Sequence, residues 1–209
     1  MKLSPAAIRH ILDRASSAGP RIDHLRGDEG HQELGHTGTI KAAVLIALVN
    51  RPVGATIVLT KRTSHLRAHA GQISFPGGRM EPDDVSAYAT ALREAKEEIG
   101  LMPVDVEILG TISPYSTITG FKVYPIVGWV SASQPFRPDP FEVDEVFEVP
   151  LEFVLNQGNH QRESRIRHGR RRHYYVLSFE GRYIWGATAA MLVNFARLIG
   201  HYGSDAPAL

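Results

Sequence analysis

The sequence has no cysteine, almost no net charge and no long apolar run, and each of these absences excludes a class of protein. Without cysteine, the chain cannot have a disulfide framework, a thiol nucleophile or a metal site with thiolate ligands. The net charge is +1, from 23 basic and 22 acidic residues, which does not support attraction of the whole surface to nucleic acid or an acidic membrane. The longest apolar run, residues 42–49, is far shorter than the ~20 residues of a membrane-spanning helix.

The length and composition indicate one globular domain with extensions. The chain has 209 residues, of which 43% are hydrophobic and 22% charged, and this suits a single domain of about 150 residues or slightly more. We expect an N-terminal helix and polar linker in residues 1–38, the domain in 39–203 and a short tail in 204–209. Charged residues interrupt the N-terminal apolar positions, which is untypical of a signal peptide. The predicted location is the cytoplasm, without membrane association.

Strand-like and helix-like segments are mixed along the chain. Ile8, Ile11 and Leu12 recur at helical spacing in an amphipathic N-terminal helix, for which Ser4 is the expected cap. The predicted strands are 41–50, 55–63, 106–113, 123–131, 173–179 and 182–186, and the further predicted helices are 84–99, 150–156 and 187–202. Because these elements show no regular βαβ repeat, they favour an α+β fold, or an α/β/α sandwich around a mixed sheet.

The helix predicted over 84–99 carries three glutamates on one face. Glu94, Glu97 and Glu98 stand at i, i+3 and i+4, so their carboxylates crowd together. Two arrangements relieve the repulsion between them. One is a solvated acidic face balanced by Arg93 and Lys96, and the other is a hard divalent cation, Mg²⁺ or Mn²⁺, drawn by the carboxylate oxygens.

The boundaries of this helix add to the signal. Asp83 or Asp84 is the expected N-cap, and Gly100 stands where a C-terminal glycine belongs. A Gly77-Gly78 turn precedes the helix, and such a turn lets a metal or a phosphate approach the main chain. Because carboxylate-held cations are the usual partners of diphosphates, the residues predict metal-assisted hydrolysis at a phosphate.

Residues 78–101 resemble the Nudix box, Gly-x5-Glu-x7-Arg-Glu-U-x-Glu-Glu-x-Gly-U, in which U is aliphatic. The second half matches from Arg93 to Leu101, with Ala95 at the first U position. The first half departs twice, since Asp84 stands where a glutamate is expected and eight residues rather than seven separate it from Arg93. These departures leave the role of Asp84 open.

A longer segment resembles one subfamily. Residues 59–84, LTKRTSHLRAHAGQISFPGGRMEPDD, followed by TALRE at 90–94, are similar to the extended signature of coenzyme A diphosphatases in the Nudix superfamily. Residues 117–128 and 184–192 are similar as well, so the resemblance covers most of 40–200. It implies the Nudix α/β/α sandwich, Mg²⁺ or Mn²⁺ as cofactor, and a homodimer. The implied reaction is hydrolysis of coenzyme A or acyl-CoA to 3′,5′-ADP and (acyl-)4′-phosphopantetheine.

The resemblance also implies roles for individual residues. Glu94, Glu97 and Glu98 match the metal ligands, the main chain of Gly78 lies beside the metal, and Arg93 orients the glutamates. The signature loop is expected to contact substrate through four residues: Arg62, Arg67, His69 and Gln72. A downstream carboxylate often completes such a site, and of Glu142, Asp144 and Glu145 the resemblance favours Glu145.

Other candidates are interpreted as structural. An arginine cluster is expected to be a solvated hairpin loop, and the alternatives are that it binds the 3′-phosphate of coenzyme A or a partner subunit. It comprises Arg162, Arg165, Arg167, Arg170, Arg171 and Arg172. Four aromatic residues are expected in the core or at a dimer contact: Phe121, Tyr174, Tyr175 and Trp185. The expected partner is therefore a small-molecule nucleotide, and no nucleic acid is expected.

Two other functions share the predicted fold. One is hydrolysis of a different nucleoside diphosphate derivative, such as ADP-ribose or NADH, or of a (d)NTP. The other is a non-catalytic binding module, which degraded glutamates would favour, and Glu94, Glu97 and Glu98 are intact.

Overall fold

The structure is a computed structural model that describes residues 3–17, 39–65, 70–131, 135–167 and 169–203. The linker predicted before residue 39 and the tail after 203 lie outside these ranges. Helices occupy Pro5–Ser17 (α1), Ala87–Ile99 (α2), Leu151–Leu155 (α3) and Gly186–Gly203 (α4). Strands occupy Ile40–Arg51 (β1), Gly54–Arg62 (β2), Ile73–Ser74 (β3), Gly77–Arg79 (β4), Val106–Thr111 (β5), Tyr115–Ser116 (β6), Phe121–Val130 (β7), Val143–Pro150 (β8), Gln161–Arg167 (β9), Arg170–Phe179 (β10) and Arg182–Trp185 (β11).

Strand β1 is the centre of a mixed sheet. It pairs in parallel with β7 along ten residues and antiparallel with β2 through a tight turn. Strand β8 extends the sheet beyond β2, β5 extends it beyond β7, and β4 pairs with the first half of β1. Because β1 is buried on both faces, its sequence is continuously apolar rather than alternating.

Helices cover both faces of this sheet. Leu45, Ala47 and Val49 pack under α2 in one apolar cluster. Ile46 and Leu48 point the opposite way, into the larger cluster that holds α1, α4 and the second sheet. The result is the predicted α/β/α sandwich, and the fold class is confirmed.

Helix α1 is anchored to the domain by the residues that predicted it. Ile8, Ile11 and Leu12 are buried in the larger cluster, where α1 packs on α4 and β5. The hydroxyl of Ser4 accepts from the Ala7 amide at 3.2 Å, as an N-cap does. No helix of the described residues has the length and hydropathy needed to cross a lipid bilayer.

Strands β9, β10 and β11 form a second, antiparallel sheet of three strands. The arginine cluster lies in paired strands rather than in a loop, so that interpretation is wrong: Arg165 pairs with Arg172, and the hairpin extends to its turn at Gly169. Polar residues are tolerated in these strands because β9 is an exposed edge. Tyr175 is buried in the core as expected, whereas Trp185 is partly exposed.

Strand β8 is absent from the predicted elements. Its sequence VDEVFEVP intersperses acidic and apolar residues, and an edge strand needs few apolar positions on its exposed side. It nevertheless pairs with most of β2. This pairing decides which downstream carboxylate approaches α2.

Candidate active site

Helix α2 begins slightly later than predicted. Ser86, rather than Asp83 or Asp84, is the N-cap, since its hydroxyl accepts from the Ala89 amide at 3.2 Å. Serine is a favoured N-cap, so the residue type of Ser86 indicates this helix start. The helix ends at Gly100 in the left-handed conformation, as expected.

The three glutamates of α2 share a face but differ sharply in environment. The side chain of Glu97 is 58% exposed, whereas that of Glu98 is 3% exposed. The opposite face of the helix is buried through Ala91, Ala95 and Ile99. A uniformly solvated acidic face therefore does not describe this helix, because a glutamate is almost never buried without a partner.

Arg93 links the carboxylates into one network. Its Nη1 donates to Glu94 at 3.0 Å and to Glu97 at 2.9 Å, which is the i,i+4 pair that the sequence suggested. Its Nε and Nη2 donate to the two carboxylate oxygens of Asp84 at 3.2 and 3.0 Å. The guanidinium fork is thereby fixed in one orientation.

Asp84, the residue that departs from the box, is the other half of this clamp. Besides Arg93, it accepts from the Thr90 hydroxyl at 2.9 Å and from the Glu81 amide at 2.8 Å. The Arg93 guanidinium, followed by the Glu81 amide, holds the pKa of Asp84 well below its usual range. Asp84 therefore binds the Arg93 guanidinium and is not the N-cap of the helix.

Glu98 lies between β4 and β2. Its carboxylate accepts from the Gly77 amide at 3.2 Å and from Arg62 Nη1 at 3.3 Å. Burial raises the pKa of Glu98 to about 8, and the opposing effects of Gly77 and Arg62 do not offset it. Burial also raises the pKa of Glu94, against the influence of Arg93.

The Gly77-Gly78 pair lets strand β4 approach both β1 and α2. A Cβ at Gly77, whose φ is 157°, would overlap the main chain of Ala43 and Val44. A Cβ at Gly78 would overlap the carboxylate of Glu94. Any side chain at Gly78 would therefore displace the glutamate from the main chain beside it.

Of the downstream carboxylates, Glu142 lies beside this cluster. Its Oε2 is 3.7 Å from Arg62 Nη2, and its charge acts on both Glu94 and Glu98. Its main chain is held by the Thr63 amide, which donates to the Glu142 carbonyl at 3.0 Å. The family resemblance instead favours Glu145.

Glu145 has a different partner. It accepts from Arg182 of β11 at 2.5 Å and pairs across the sheet with Lys61. Neighbouring residues of a strand face opposite sides, so Glu145 shares the face of Lys61 while Arg62 points to α2. A bulge between Lys61 and Arg62 breaks the register. The local sequence pattern does not show this bulge.

The signature loop starts and ends next to the carboxylate cluster. The Arg62 amide donates to the Gln72 carbonyl at 2.9 Å, and the Gly71 amide donates back to the Arg62 carbonyl at 3.2 Å. These bonds close the loop at its base, beside the contact between Arg62 and Glu98. Arg67 and His69, two of the expected substrate contacts, lie outside the described residues.

The donor chemistry of these residues fits a hard divalent cation. Their donor atoms are all oxygen, which Mg²⁺ and Mn²⁺ prefer, and the missing Cβ of Gly78 keeps its main chain open to the Glu94 carboxylate. Within the described ranges no three acidic or histidine side chains converge on one point. Arg93 and Arg62 instead stand between the carboxylates as counter-charges.

A mixed sheet between helix layers, with the glutamates of α2 laid against the Gly77-Gly78 strand, is the arrangement that the resemblance to the Nudix box predicts. The sequence profile of the NUDIX domain matches residues 39–169, and the chain belongs to the Nudix family. It is a Nudix hydrolase, and the family acts on nucleotide derivatives and generally uses divalent ions such as Mg²⁺ or Mn²⁺.

Two relatives cover nearly the whole chain. The Escherichia coli (strain K12 / DH10B) protein named "Uncharacterized Nudix hydrolase NudL" is 39% identical over 180 residues, which are 86% of this chain and 92% of the relative. NudL of Salmonella heidelberg (strain SL476) is 38% identical over 200 residues, which are 96% of this chain and 98% of the relative.

Solved structures share the fold. A binary complex of Caenorhabditis elegans Ap4A hydrolase has a TM-score of 0.51 at 14% identity, over 79% of this chain and 98% of that one. The Mycobacterium smegmatis Nudix hydrolase RenU has a TM-score of 0.53 at 17% identity, over 83% of this chain and 91% of that one. At these identities the likeness concerns architecture alone.

Proposed function

We propose that this Nudix hydrolase cleaves the diphosphate of coenzyme A or an acyl-CoA, giving 3′,5′-ADP and (acyl-)4′-phosphopantetheine. Water supplies the oxygen that forms the new bond to phosphorus. One P–O bond of the bridge breaks, and a proton is released as the second phosphate leaves. The reaction needs no oxidant and no second substrate.

One contact carries the proposal. Arg62 belongs to the segment that resembles the coenzyme A diphosphatase signature, and it donates to Glu98 of helix α2 at 3.3 Å. The signature segment, whose resemblance suggests the substrate, therefore contacts helix α2, whose glutamates suggest the chemistry. The main-chain bonds between Arg62 and residues 71–72 close the signature loop at the same point.

The acidic residues would hold the cation. In this proposal Glu94, Glu97 and Glu98, with the carbonyl of Gly78, bind Mg²⁺ or Mn²⁺. When bound, the cation would polarise phosphate oxygens and acidify a water molecule. Arg93 and Asp84 keep Glu94 and Glu97 in place through the clamp described above.

The chain's other charged groups would act on substrate and proton. Arg62 has five N–H donors and lies 3.3 Å from Glu98 and 3.7 Å from Glu142, so in this proposal it also turns donors towards a phosphate. Glu142 is our candidate to accept the proton of the attacking water, because it stands at the edge of the carboxylate cluster. Glu145 stays a prediction from the resemblance.

A substrate panel tests the proposal. The purified chain is incubated with coenzyme A, ADP-ribose, NADH or a dNTP, with Mg²⁺ or Mn²⁺ at pH 7 to 9, and products are separated by chromatography. We expect 3′,5′-ADP from coenzyme A, and no product in a parallel incubation with excess chelator. A preference of more than tenfold in kcat/KM for another compound would assign that substrate instead.

A failure of all hydrolysis would have a different meaning. If no panel compound is cleaved with either cation, but the chain still binds one of these compounds, the chain would be a binding module on the Nudix scaffold. The intact glutamates argue against that outcome.

A further inference from the structure

An exposed aromatic residue directly precedes Glu142 in the chain. Phe141 is 67% exposed, more than any other aromatic residue among the described large apolar residues. A phenyl ring has no polar atom that water can satisfy, unlike the rings of tyrosine and tryptophan. An exposed phenyl ring near a ligand site is therefore a candidate contact for that ligand.

The main chain around Phe141 holds the ring in a defined position. The Phe141 amide donates to the Asp139 carboxylate at 2.9 Å, and its carbonyl accepts from the Thr63 hydroxyl at 3.0 Å. The Asp139 amide in turn donates to the carbonyl of Glu98 at 2.9 Å. The segment is thus attached both to β2 and to the end of α2, so the ring is presented by a fixed backbone.

A second ring supports the first. The centroid of the His65 imidazole is 5.1 Å from that of Phe141, with 61° between the ring planes. This edge-to-face arrangement is favourable for aromatic pairs. His65 is itself exposed and stands just before the undescribed part of the signature loop.

The pair stands beside the acidic centre. Phe141 directly precedes Glu142, whose carboxylate is 3.7 Å from Arg62, and Arg62 contacts Glu98. A nucleotide whose phosphates lie at these charges has its base about one ribose away. The ring pair is connected to these charges through Glu142, the next residue, and through Thr63, the residue after Arg62, whose hydroxyl donates to the Phe141 carbonyl at 3.0 Å.

We propose that Phe141, supported by His65, is the stacking surface for the adenine ring of the nucleotide half of the substrate. A flat heteroaromatic ring gains from stacking on an exposed phenyl face, whereas the flexible, non-planar pantetheine arm gains much less. This inference rests on the function proposed above, and it assigns the base to a particular surface of that site.

Inhibition by the two halves of the substrate separates base stacking from binding of the pantetheine arm. For Phe141→Ala we expect the KM for coenzyme A and the inhibition constant of 3′,5′-ADP to rise by about tenfold. The inhibition constant of 4′-phosphopantetheine should not change. Phe141→Trp should restore the wild-type values, and Phe141→Leu should restore them only in part, because it is apolar without a π-face.

Ile166→Ala is the matched control, since Ile166 is equally exposed at 69% and lies on β9. An unchanged constant for 3′,5′-ADP in Phe141→Ala, or a rise for 4′-phosphopantetheine instead, overturns the assignment. If the wild-type chain does not cleave coenzyme A, the proposed function fails. Calorimetric binding of 3′,5′-ADP to the wild type and to Phe141→Ala still tests the stacking surface on its own.

Discussion

At the scale of single residues, the site consists of clustered carboxylates with two arginines between them as counter-charges. Arg93 holds Asp84, Glu94 and Glu97, and Arg62 stands between Glu98 and Glu142. Each arginine lowers the repulsion that the clustered negative charges would otherwise have. Removing one carboxylate therefore changes both the charge of the site and the partner of an arginine.

Glu98→Gln should abolish most of the activity while the fold persists. The amide keeps the shape of the side chain and its contact with the Gly77 amide, but it removes the charge that a cation needs. We expect kcat to fall by about 100-fold or more, with a circular dichroism spectrum like that of the wild type. Glu152→Gln, on the exposed side of α3, is the control and should retain full activity. Equal activity in Glu98→Gln would refute the assignment of Glu98.

The two downstream carboxylates can be separated by the same substitution. Glu142→Gln should lower kcat by about tenfold or more, because Glu142 faces the α2 carboxylates. Glu145→Gln should affect thermal stability more than turnover, since its partner is Arg182 on the other face of the sheet. Steady-state rates and melting temperatures of both variants decide between them. A larger loss of kcat in Glu145→Gln would favour the residue that the family resemblance suggested.

At the scale of secondary-structure elements, the site depends on how closely β4 lies against α2. The Ser86 cap and the left-handed Gly100 set the length of α2, and its apolar face fixes it on β1 and β7. Strand β4 then passes beside the acidic face because it has two glycines. This close approach has a measurable consequence at Gly78.

Gly78→Ala should damage the site through its geometry alone. The added methyl group would overlap the Glu94 carboxylate, so either the strand or the glutamate must move, at a cost of about 1–3 kcal/mol. We expect a lower urea midpoint and a loss of turnover of about tenfold or more. Gly200→Ala, in α4 with open space around it, should be as stable as the wild type or slightly more stable. Wild-type turnover in Gly78→Ala would contradict the proposed role of this strand.

At the scale of the whole molecule, the net charge of +1 conceals a separation of charge. Acidic groups gather at the end of α2, and arginines gather in the β9–β10 hairpin. Ion pairs far from the site join distant parts of the chain. One of them links β1 to β8, where Arg51 donates to Glu148. Glu148 also accepts from the hydroxyl of Thr56 in β2.

This ion pair predicts a contribution to stability that is lost in acid. The hydrogen bond from Arg51 lowers the pKa of Glu148 below its ordinary value of 4.5. A lowered folded-state pKa means that the contribution is complete above the ordinary value and is lost as the pH falls through the folded value. The melting temperature of the wild type should therefore exceed that of Glu148→Gln at pH 7, and the difference should shrink below about pH 4.5. A constant difference between pH 7 and pH 3 would exclude this linkage.

Much of the fold and part of the site follow from local sequence. The apolar run of β1, the spacing of Ile8, Ile11 and Leu12, and the glutamates of α2 each predict their element, because side-chain periodicity must match burial. The Nudix box and the longer signature then identify the family, which the domain match confirms. The homodimer, the coenzyme A substrate and the roles of the individual site residues stay predictions.

Other features depend on side-chain contacts and strand pairing that residue propensities do not show. The hydroxyl of Ser86 and the carboxylate of Asp84 compete for the same helix start, and Arg93 decides the outcome by binding Asp84. The arginine-rich segment forms strands because the pairing of β9 with β10 outweighs its polar composition. The contact between Asp84 and Arg93 and the pairing of β9 with β10 each join two residues outside a single helical turn or strand, so the propensity of single residues could not reveal them.

The sequence by itself determined the fold class, the acidic face of α2 and the oxygen character of any cation site, since these depend on composition and on spacing within one element. Only the tertiary structure decided that Glu98 is buried, that Asp84 holds Arg93, and that Glu142 rather than Glu145 lies beside the α2 carboxylates. For the two downstream carboxylates the physical reason is strand register. Glu145 pairs with Lys61 in the regular part of the β2–β8 ladder, whereas Glu142 precedes β8 beyond the bulge between Lys61 and Arg62, and register is set by pairing across the sheet.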